Sequence, residues 1–126
     1  MKLAGLDHVA LSVRDVERSA AWYAEVFGFR NLYPGKWNGI PVFMGNEQMA
    51  IALFPTRDAG TQEPGRRRGI LDFAFRTSGE ELRKAQSELT DRGIAFAFQD
   101  HEISHSIYLR DPDGHEVEIT SYDLTR

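Results

Sequence analysis

Three polar side chains in this sequence have the chemistry to hold a divalent metal ion: the imidazole of His8 and the carboxylates of Asp72 and Glu118. Each of them lies in a strand-like run, and Asp72 stands 64 positions after His8, at the matching place of a repeated pattern. Nitrogen and oxygen ligands of this kind suit manganese, iron, zinc, nickel or magnesium. An ion held with one side open can polarise a carbonyl, acidify a carbon-bound proton or bind oxygen.

The elements that would position these residues occur as two copies of one unit. The run 6–13 resembles the run 70–77, a helical stretch that ends at a glycine follows each run, and three more strand-like runs follow each helix. A fixed internal period decides the fold. We therefore predict an α+β fold of two β-α-β-β-β modules that form curved mixed sheets around a cavity, with the helices on the outer face. The single predicted domain, 1–126, divides into a first module at 1–54, a linker at 55–69 and a second module at 70–126.

Capping signals mark the two predicted helices, each of which carries an apolar stripe along one side. Asp15 is the predicted N-cap of the first helix, and Gly28 is its predicted left-handed C-cap. Ser78 followed by Glu81 has the spacing of a capping box, and Gly93 is predicted to end the second helix.

Two glycine turns predict hairpins. The Asn-Gly pair at 38–39 predicts a type I′ turn between strands at 36–37 and 40–44, because both central residues of such a turn need a positive φ. The Asp-Pro-Asp-Gly run at 111–114 predicts the matching turn of the second module, between an antiparallel pair of strands. The linker contains the basic run 66–68, which is either solvated surface or a flap that attracts an anionic substrate.

Strand side chains alternate between the two faces of a sheet, so each strand-like run divides into two sets. One set is apolar and suited to pack on a helix, and the other is small or polar in every run. The polar set is predicted to line the cavity, and it includes His8, Asp72, Tyr108 and Glu118. The alternative interpretation of His8 and Asp72 is that they are strand-edge residues that make ordinary hydrogen bonds.

Length, charge and composition limit the class of protein. The 126 residues suffice for one domain with a core, whereas a single module of about 60 residues would be marginal alone. The chain has no cysteine, so a metal must be held by His, Asp or Glu. The net charge of −4 is not typical of a protein that binds nucleic acid, and no apolar run is long enough to predict a membrane span. We predict a cytoplasmic protein that binds a small molecule and neither nucleic acid nor membrane.

Three segments resemble the vicinal oxygen chelate superfamily, which includes glyoxalase I, extradiol dioxygenases, methylmalonyl-CoA epimerase, fosfomycin-resistance transferases and the metal-free bleomycin-resistance proteins. Leu6–Leu11 looks like the opening strand of the family, Trp22–Phe29 like its helix end and Tyr108–Glu118 like its closing hairpin. The resemblance covers nearly the whole chain. It implies the two-module fold and also a homodimer, since members commonly complete their cavities by pairing modules from two chains.

The resemblance also implies a set of metal ligands. His8 matches the first-strand ligand of the family and Glu118 matches its last-strand glutamate, whereas Asp72 stands where metal-binding members usually carry histidine. A carboxylate can still ligate. Ala52 stands where glyoxalase I carries a fourth ligand. Alanine cannot ligate, which argues against a glyoxalase I mechanism.

A three-ligand site is similar to that of the extradiol dioxygenases and fosfomycin transferases, which also place a tyrosine ten residues before the glutamate, as Tyr108 stands before Glu118. In the dioxygenases this tyrosine assists at the substrate hydroxyl together with a histidine, a role that His105 or His101 would fill. Against a dioxygenase, two carboxylates and one imidazole cancel a 2+ charge and disfavour a catecholate dianion. Against a fosfomycin enzyme, Ala10 replaces a hydroxyl residue.

Two functions follow as hypotheses. The first is a metal-dependent enzyme, of lyase, isomerase or ring-cleaving dioxygenase type, that chelates two adjacent oxygens of a small substrate; its metal ligands would be His8, Asp72 and Glu118, and its catalytic residues Tyr108, Glu118 and His105. The second is a metal-free binding or sequestration protein of the bleomycin-resistance type. The candidate substrate-binding residues, which core packing would equally explain, are Trp37, Phe43, Phe54 and Tyr108.

Overall fold

The structure is a computed structural model that describes Lys2, residues 5–56 and residues 72–124. The chain divides into two compact units, Met1–Glu63 and Pro64–Arg126. Within the described residues, each unit contains one α-helix and four strands in the same order. The elements are β1 (His8–Val13), α1 (Val16–Phe27), β2 (Arg30–Asn31), a short 3-10 turn (Lys36–Gly39), β3 (Val42–Gly45), β4 (Ala50–Pro55), β5 (Phe73–Arg76), α2 (Gly79–Asp91), β6 (Ala97–Asp100), β7 (His105–Arg110) and β8 (Glu116–Ser121).

The first unit is a four-stranded mixed sheet with the strand order β1-β4-β3-β2. Strands β1 and β4 run parallel, with His8 opposite Ala50, and β3 runs antiparallel to both β4 and β2. Parallel pairing needs a long crossover connection, which the segment containing α1 provides. Helix α1 packs against β3 and β4, so it covers one face of this sheet.

The second unit repeats this topology, with the strand order β5-β8-β7-β6. Strands β5 and β8 run parallel, with Ala74 opposite Glu118, and β7 runs antiparallel to both β8 and β6. Helix α2 packs against β7 and β8. The two β-α-β-β-β modules, each with a mixed sheet and one helix, confirm the predicted α+β fold.

Both predicted helix starts are confirmed. The Asp15 side chain accepts a hydrogen bond from the backbone N–H of Arg18, and the Ser78 hydroxyl accepts one from the backbone N–H of Glu81, each at 3.1 Å. Each bond satisfies one of the N–H groups that a helix leaves without an internal partner at its first turn. In the described part of the chain, no helix is long and apolar enough to cross a membrane.

The helix ends also follow the sequence. Gly28, directly after α1, and Gly93, shortly after α2, both have a φ of 69°, in the left-handed region that glycine adopts without a steric penalty. After α2, the N–H of Ile94 donates to the carbonyl of Leu89 at 2.9 Å. Such a bond satisfies a carbonyl of the last turn and reverses the chain into β6.

One face of each sheet forms a core with its helix. Most strand positions predicted to be apolar are buried, although Phe73, Phe75 and Ile119 are only half-buried, and the core side chains are at most 8% exposed. This alternation confirms the predicted division of the strands into a helix face and an open face. The buried apolar residues include Leu11, Val13, Tyr23, Met44, Ile51 and Leu53 in the first unit, and Leu82, Leu89, Ile107, Leu109 and Val117 in the second.

The hairpin predicted at Asn38-Gly39 is wrong in its first strand. Residues Lys36–Gly39 form the 3-10 turn, and the strand that pairs with β3 is Arg30–Asn31. Asn38 and Gly39 have the predicted positive φ, 54° and 82°, but Trp37 before them is left-handed as well, with a φ of 55°. Because a strand needs extended backbone, no strand leads into this turn through Trp37.

Most of the predicted linker lies outside the described residues, as does the basic run 66–68. Strand β4 ends at Pro55, one position after the predicted end of the first module. The N–H of Thr56 then donates to the carbonyl of Val13 at 2.8 Å, which continues the pairing with β1 by one residue.

Trp37 offers a stability test of the turn. A side chain in the left-handed region costs roughly 1–2 kcal/mol, whereas glycine adopts this region freely. Trp37→Gly and Trp37→Ala remove the same ring, so we expect the glycine variant to be more stable by about 1 kcal/mol in urea unfolding. Equal stability, or a more stable alanine variant, would contradict the left-handed geometry of Trp37.

A buried carboxylate holds the closing hairpin, and the turn predicted at 111–114 is confirmed. Asp111 Oδ1 accepts hydrogen bonds from the N–H groups of Asp113 and His115, both at 2.9 Å, and Asp111 Oδ2 lies 2.7 Å from His115 Nδ1. Gly114 completes the turn with a φ of 84°. The hydrogen bond to Asp111 raises the pKa of His115, while burial opposes that rise.

The contact between Asp111 and His115 predicts a pH dependence of stability. Folding raises the pKa of His115 above its unfolded value of about 6.5, so the stabilisation is fully present below that pH and is lost as the pH rises through the raised pKa. We expect His115→Gln to lower the free energy of unfolding more at about pH 5.5 than at about pH 9. Urea unfolding of both proteins at the two pH values measures this, and a cost independent of pH would contradict the charged pair.

Candidate functional site

His8 begins β1 on the open face of the first sheet, opposite to the face that buries Leu11 and Val13. His8 Nδ1 lies 2.8 Å from Asp7 Oδ2. A carboxylate only accepts hydrogen bonds, so this contact places the ring proton on Nδ1 and leaves the lone pair on Nε2. Histidines that bind metal ions are usually held in this way. The His8 side chain is 38% exposed, so it is not buried in the core.

Three aromatic rings continue from His8 along the open face, and we call Tyr33, Trp37 and Phe43 the aromatic cluster. The Phe43 ring centroid lies 4.9 Å from that of His8, and the Tyr33 and Trp37 centroids each lie 5.5 Å from that of Phe43. Tyr33 and Trp37 also contact each other, at 5.6 Å. Trp37 is 53% exposed and Tyr33 is 49% exposed, so core packing does not explain them.

The neighbouring rows of the sheet contain two further predicted positions. Ala52 pairs with Phe43 and is fully buried, so it supplies no ligand beside His8. Phe54 pairs with Ser12, toward the other end of β1, and is 41% exposed. Of the predicted aromatic residues in this unit, Trp37 and Phe43 are therefore brought to His8 and Phe54 is not.

The open face of the second unit carries an acidic pair. Tyr108 and Glu118 are direct partners across β7 and β8, and Ala74 of β5 lies on the other side of Glu118. Asp72 precedes Ala74 by two residues, so strand alternation places both on the same face. Asp72 and Glu118 are partly buried, and among the described residues no Lys, Arg or His side chain forms an ion pair with either.

A buried hydroxyl orients Glu118. Ser106 Oγ lies 2.7 Å from Glu118 Oε2 and 2.9 Å from Thr120 Oγ1. Ser106 is fully buried, and Thr120 is 9% exposed. Because a carboxylate oxygen only accepts, the Ser106 hydroxyl donates to Glu118 and fixes the orientation of that carboxylate.

Tyr108 contacts His101, and not the other histidine expected from the sequence, His105. The Tyr108 hydroxyl lies 2.8 Å from His101 Nε2. His105 is three residues before Tyr108 on the same strand, so alternation places it on the helix face. There its ring lies 5.3 Å from that of Phe98, and its Nε2 lies 3.6 Å from Asp100 Oδ2. We therefore do not retain His105 as a candidate catalytic residue.

The environment of Tyr108 favours its protonated form. Burial raises the pKa of Tyr108, and the negative charges of Glu118 and Asp72 raise it further. A hydrogen bond with Glu118 acts in the same direction, while one with Ser106 opposes it. Strand pairing places Glu118 beside Tyr108, and the influence of Asp72 on the pKa of Tyr108 agrees with its position on the same face. A phenol in this environment stays protonated at neutral pH and donates a hydrogen bond.

The donors in the two units fit a divalent ion by their chemistry. His8 offers Nε2, and Asp72 and Glu118 offer carboxylate oxygens, a mixed set that divalent transition ions accept. Within residues 5–56 and 72–124, the structure groups no three His, Cys, Asp or Glu side chains as a metal site, so the three-ligand site stays a prediction.

Sequence reasoning missed the roles of Asp7, Tyr33 and Ser106. The signal for Asp7 was its position next to His8, and the signal for Ser106 was a small hydroxyl residue in the polar set of its strand. Tyr33 lies between β2 and the 3-10 turn, where no strand alternation assigns a side chain to a face. Its contacts with Trp37 and Phe43 come from the turn geometry.

A comparison with known protein families gives a match that includes residues of both units. The family model described as the Glyoxalase/Bleomycin resistance protein/Dioxygenase superfamily matches residues 5–119. The chain belongs to this superfamily. This membership confirms the resemblance that the opening strand, helix end and closing hairpin predicted.

Two curated proteins of named activity are similar to this superfamily member. Metallothiol transferase FosB of Lysinibacillus sphaericus (strain C3-41) is 30% identical over 122 residues, which cover 94% of this chain and 83% of FosB. Catechol-2,3-dioxygenase of Bacillus subtilis (strain 168) is 28% identical over 116 residues, which cover 90% of this chain. The match spans only 40% of the length of the dioxygenase.

Solved structures of superfamily members share the fold. The glyoxylase/bleomycin resistance protein/dioxygenase domain from Frankia sp. EAN1pec matches with a TM-score of 0.78 and 25% identity. The match covers 99% of this chain and 96% of that domain. It agrees with the two four-stranded mixed sheets and two helices described above.

The charges around Tyr108 predict a shift in its titration. Glu118→Gln removes a negative charge beside the phenol, so in the metal-free protein we expect the pKa of Tyr108 to fall toward 10.0. Phenolate absorbance against pH measures this, and Tyr108→Phe identifies which part of the signal belongs to Tyr108. Glu116→Gln, on the same strand, is the matched control. An unchanged Tyr108 titration in Glu118→Gln would contradict the assigned contact.

Proposed function

We propose that this protein is a metal-dependent enzyme that acts on a small substrate, which chelates the ion through two adjacent oxygens. In this proposal His8, Asp72 and Glu118 hold the ion. The observation that carries it is the acidic pair of the second unit: Asp72 and Glu118 lie on one face, partly buried and without a basic partner among the described residues. Carboxylate oxygens on one partly buried face are ligands that divalent cations accept.

The orientation of His8 supports the same proposal. Its hydrogen bond to Asp7 leaves the Nε2 lone pair for an ion, and the side chain is accessible. Ser106 orients Glu118 in the same way, since its hydroxyl donates a hydrogen bond of 2.7 Å to one carboxylate oxygen. Partners of this outer kind orient the groups that touch a metal and tune their basicity.

The charge of the ligand set limits the substrate. A neutral imidazole and two carboxylates balance a 2+ ion, so little positive charge remains to attract a dianion. We therefore propose a substrate that is neutral or singly charged when bound. Ala52 supplies no fourth protein ligand, which leaves coordination positions for two substrate oxygens.

Tyr108 and His101 are the proposed proton-handling pair. Tyr108 is held protonated by burial and by two carboxylates, so it acts as a donor toward a substrate oxygen. His101 Nε2, 2.8 Å from the phenol oxygen, is placed to take a proton from Tyr108 or to return one. When bound, the metal ion supplies Lewis-acid activation of the substrate oxygens.

The relatives support different parts of this proposal. The name of FosB, a metallothiol transferase, includes a metal, and the catechol dioxygenase acts by its name on a diol. Each is at most 30% identical to this chain. The proposed chemistry is limited to proton transfer at a substrate oxygen. Lyase, isomerase and ring-cleaving dioxygenase reactions share this step.

A metal-free binding protein of the bleomycin-resistance type is the second candidate. The exposed aromatic cluster favours it, because Trp37 and Tyr33 offer ring faces on which a flat cation can stack. This alternative needs no metal for ligand binding, and the proposed enzyme does. The single two-module domain, the homodimer and the cytoplasmic location stay predictions under both functions.

Metal titration tests the proposed enzyme. We expect the chelator-stripped protein to bind one manganese, zinc or nickel ion per chain in isothermal titration calorimetry. His8→Ala, Asp72→Ala and Glu118→Gln each remove a proposed ligand. Loss of a residue that only orients a ligand weakens metal binding by roughly 10- to 100-fold, so we expect each of these variants to weaken it at least as much.

Glu116→Gln is the control for this titration, since Glu116 is the same residue type, on the same strand and two positions away from Glu118. It is expected to bind metal like the unmodified protein. Absence of metal binding in the unmodified protein, or equal binding by all variants, would remove the metalloenzyme proposal and leave the binding protein.

A further inference from the structure

We infer that Arg76, held over the ring of Tyr122, binds a carboxylate group of the substrate on the open face of the second unit. The inference rests on the proposed function, which makes this face part of the substrate site, and it adds the ionic group that the substrate carries. The contact itself lies within one unit and needs no metal ion.

Strand pairing places Arg76 on the same face as the acidic pair. Ala74 pairs with Glu118, and Arg76, two residues further along β5, pairs with Thr120. Alternate residues of a strand point to one face and lie about 6.6 Å apart. One small molecule can therefore present an oxygen beside Glu118 and a charged group to Arg76.

Arg76 keeps hydrogen-bond donors for a ligand. It is exposed and, among the described residues, it forms no ion pair, although two carboxylates lie on its own face. In contrast Arg110, also on this face, lies 3.5 Å from Glu116 and donates to the carbonyl of Gly114 at 3.0 Å. A guanidinium presents a planar fork of N–H groups that matches a carboxylate, so Arg76 is suited to bind one.

The ring of Tyr122 positions this guanidinium. The guanidinium carbon of Arg76 lies 5.4 Å from the ring centroid, within the range of a cation–π interaction. A guanidinium that contacts an aromatic face can still bind a carboxylate through its N–H fork. Tyr122 is 56% exposed, so its ring belongs to the surface of this face and not to the core.

Paired and packed backbone holds both residues. After Arg76, the N–H of Thr77 donates to the carbonyl of Thr120 at 2.9 Å, which continues the pairing of β5 with β8. After Tyr122 the chain packs on the start of α2, where a Cβ added at Gly79 would lie 2.7 Å from the carbonyl oxygen of Asp123. Groups that are positioned before binding lose less entropy when a ligand arrives.

The first unit has neutral residues at the matching positions. Ser12 of β1 stands where Arg76 stands in β5, and Thr56 stands where Tyr122 does. The Ser12 and Thr56 hydroxyl oxygens lie 2.6 Å apart, so these two side chains satisfy each other. The module therefore folds without a cation at this place, which supports a ligand-binding role for Arg76.

The surrounding charge favours a carboxylate over a phosphate. Arginine binds either group through paired N–H donors, but Asp72 and Glu118 put negative charge on the same face. A phosphate dianion would meet about twice the repulsion that a carboxylate meets. A single negative charge on the substrate also agrees with the charge limit set by the proposed metal ligands.

A charged probe and its neutral analogue test the inference. Butyrate and butyramide have the same carbon chain and differ in the charge of the terminal group. In the chelator-treated, metal-free protein at constant ionic strength, we expect butyrate to shift the amide signals of Thr77 and Thr120 in nitrogen-15 spectra. The dissociation constant is expected to be on the order of 10 mM, as suits one bidentate contact, and butyramide should shift neither signal.

Variants identify the groups that bind the carboxylate. Arg76→Gln is expected to weaken butyrate binding by roughly 10- to 100-fold, because hydrogen bonds to a charged group are lost. Arg76→Lys keeps the charge without the fork and should retain part of the affinity. Tyr122→Phe keeps the ring and should bind like the unmodified protein, whereas Tyr122→Leu should bind several-fold more weakly. Arg110→Gln is the matched control, since Arg110 is already paired with Glu116, and it should keep the full affinity.

Several results would overturn the inference: no shift with butyrate, equal affinity in Arg76→Gln and the unmodified protein, or an equal loss in Arg76→Gln and Arg110→Gln. Butyramide binding as tight as that of butyrate would also overturn it, as would tighter binding of methyl phosphate. None of these results alters the metal titration of the unmodified protein, so the metal-dependent function would stand. Absence of metal binding with butyrate binding intact would remove that function and keep Arg76 as a carboxylate site.

Discussion

In the described part of the chain, each sheet packs one helix against one of its two faces, and the placement of the candidate functional side chains follows from that asymmetry. The helix face takes the apolar half of every strand, where removal from water provides the main stabilisation. On the other face His8 is exposed and Glu118 is half-buried, whereas Ala52 and Ser106 are fully buried. Side chains that do not help to build the core, such as His8 and Glu118, can therefore occupy this face without disrupting folding.

The negative charge on the open face of the second unit needs nearby hydrogen-bond donors or cations. Asp72 and Glu118 sit near the phenol of Tyr108, and partial burial makes a carboxylate costly unless it is hydrogen-bonded or paired. Ser106 meets part of this requirement at Glu118 through a buried hydroxyl. The remaining negative charge is what makes the face a candidate for a cation, and the same charge keeps Tyr108 a donor.

The first unit contributes different chemistry to the same proposal. Its open face has one imidazole and an exposed group of rings, with alanine at the position where a further ligand would stand in glyoxalase I. The two modules share one strand order and differ in their side chains and in the 3-10 turn of the first unit. The open face of the second unit is acidic and hydrogen-bonded, and the open face of the first unit is aromatic.

Sequence reasoning reached the features that are local or periodic. The Asp15 and Ser78 caps and the strand faces follow from spacing along the chain, and the structure confirms them. It failed at the turn containing Trp37, because an Asn-Gly pair signals positive φ without revealing that the residue before it is left-handed too. It also failed to choose between His101 and His105, because His101 lies outside a strand and its contact with the Tyr108 hydroxyl depends on the path of the loop.

Paramagnetic broadening by manganese tests most directly the proposed ligand set of His8, Asp72 and Glu118. In a nitrogen-15 amide spectrum of the metal-free protein, substoichiometric Mn²⁺ is expected to broaden the signals around His8 and Ala50 and those around Tyr108 and Glu118 at the same added concentration. His8→Ala should abolish both effects at that concentration. Broadening confined to the signals around His8 or to those around Glu118, or first appearing around these residues at different concentrations, would contradict the proposed ligand set.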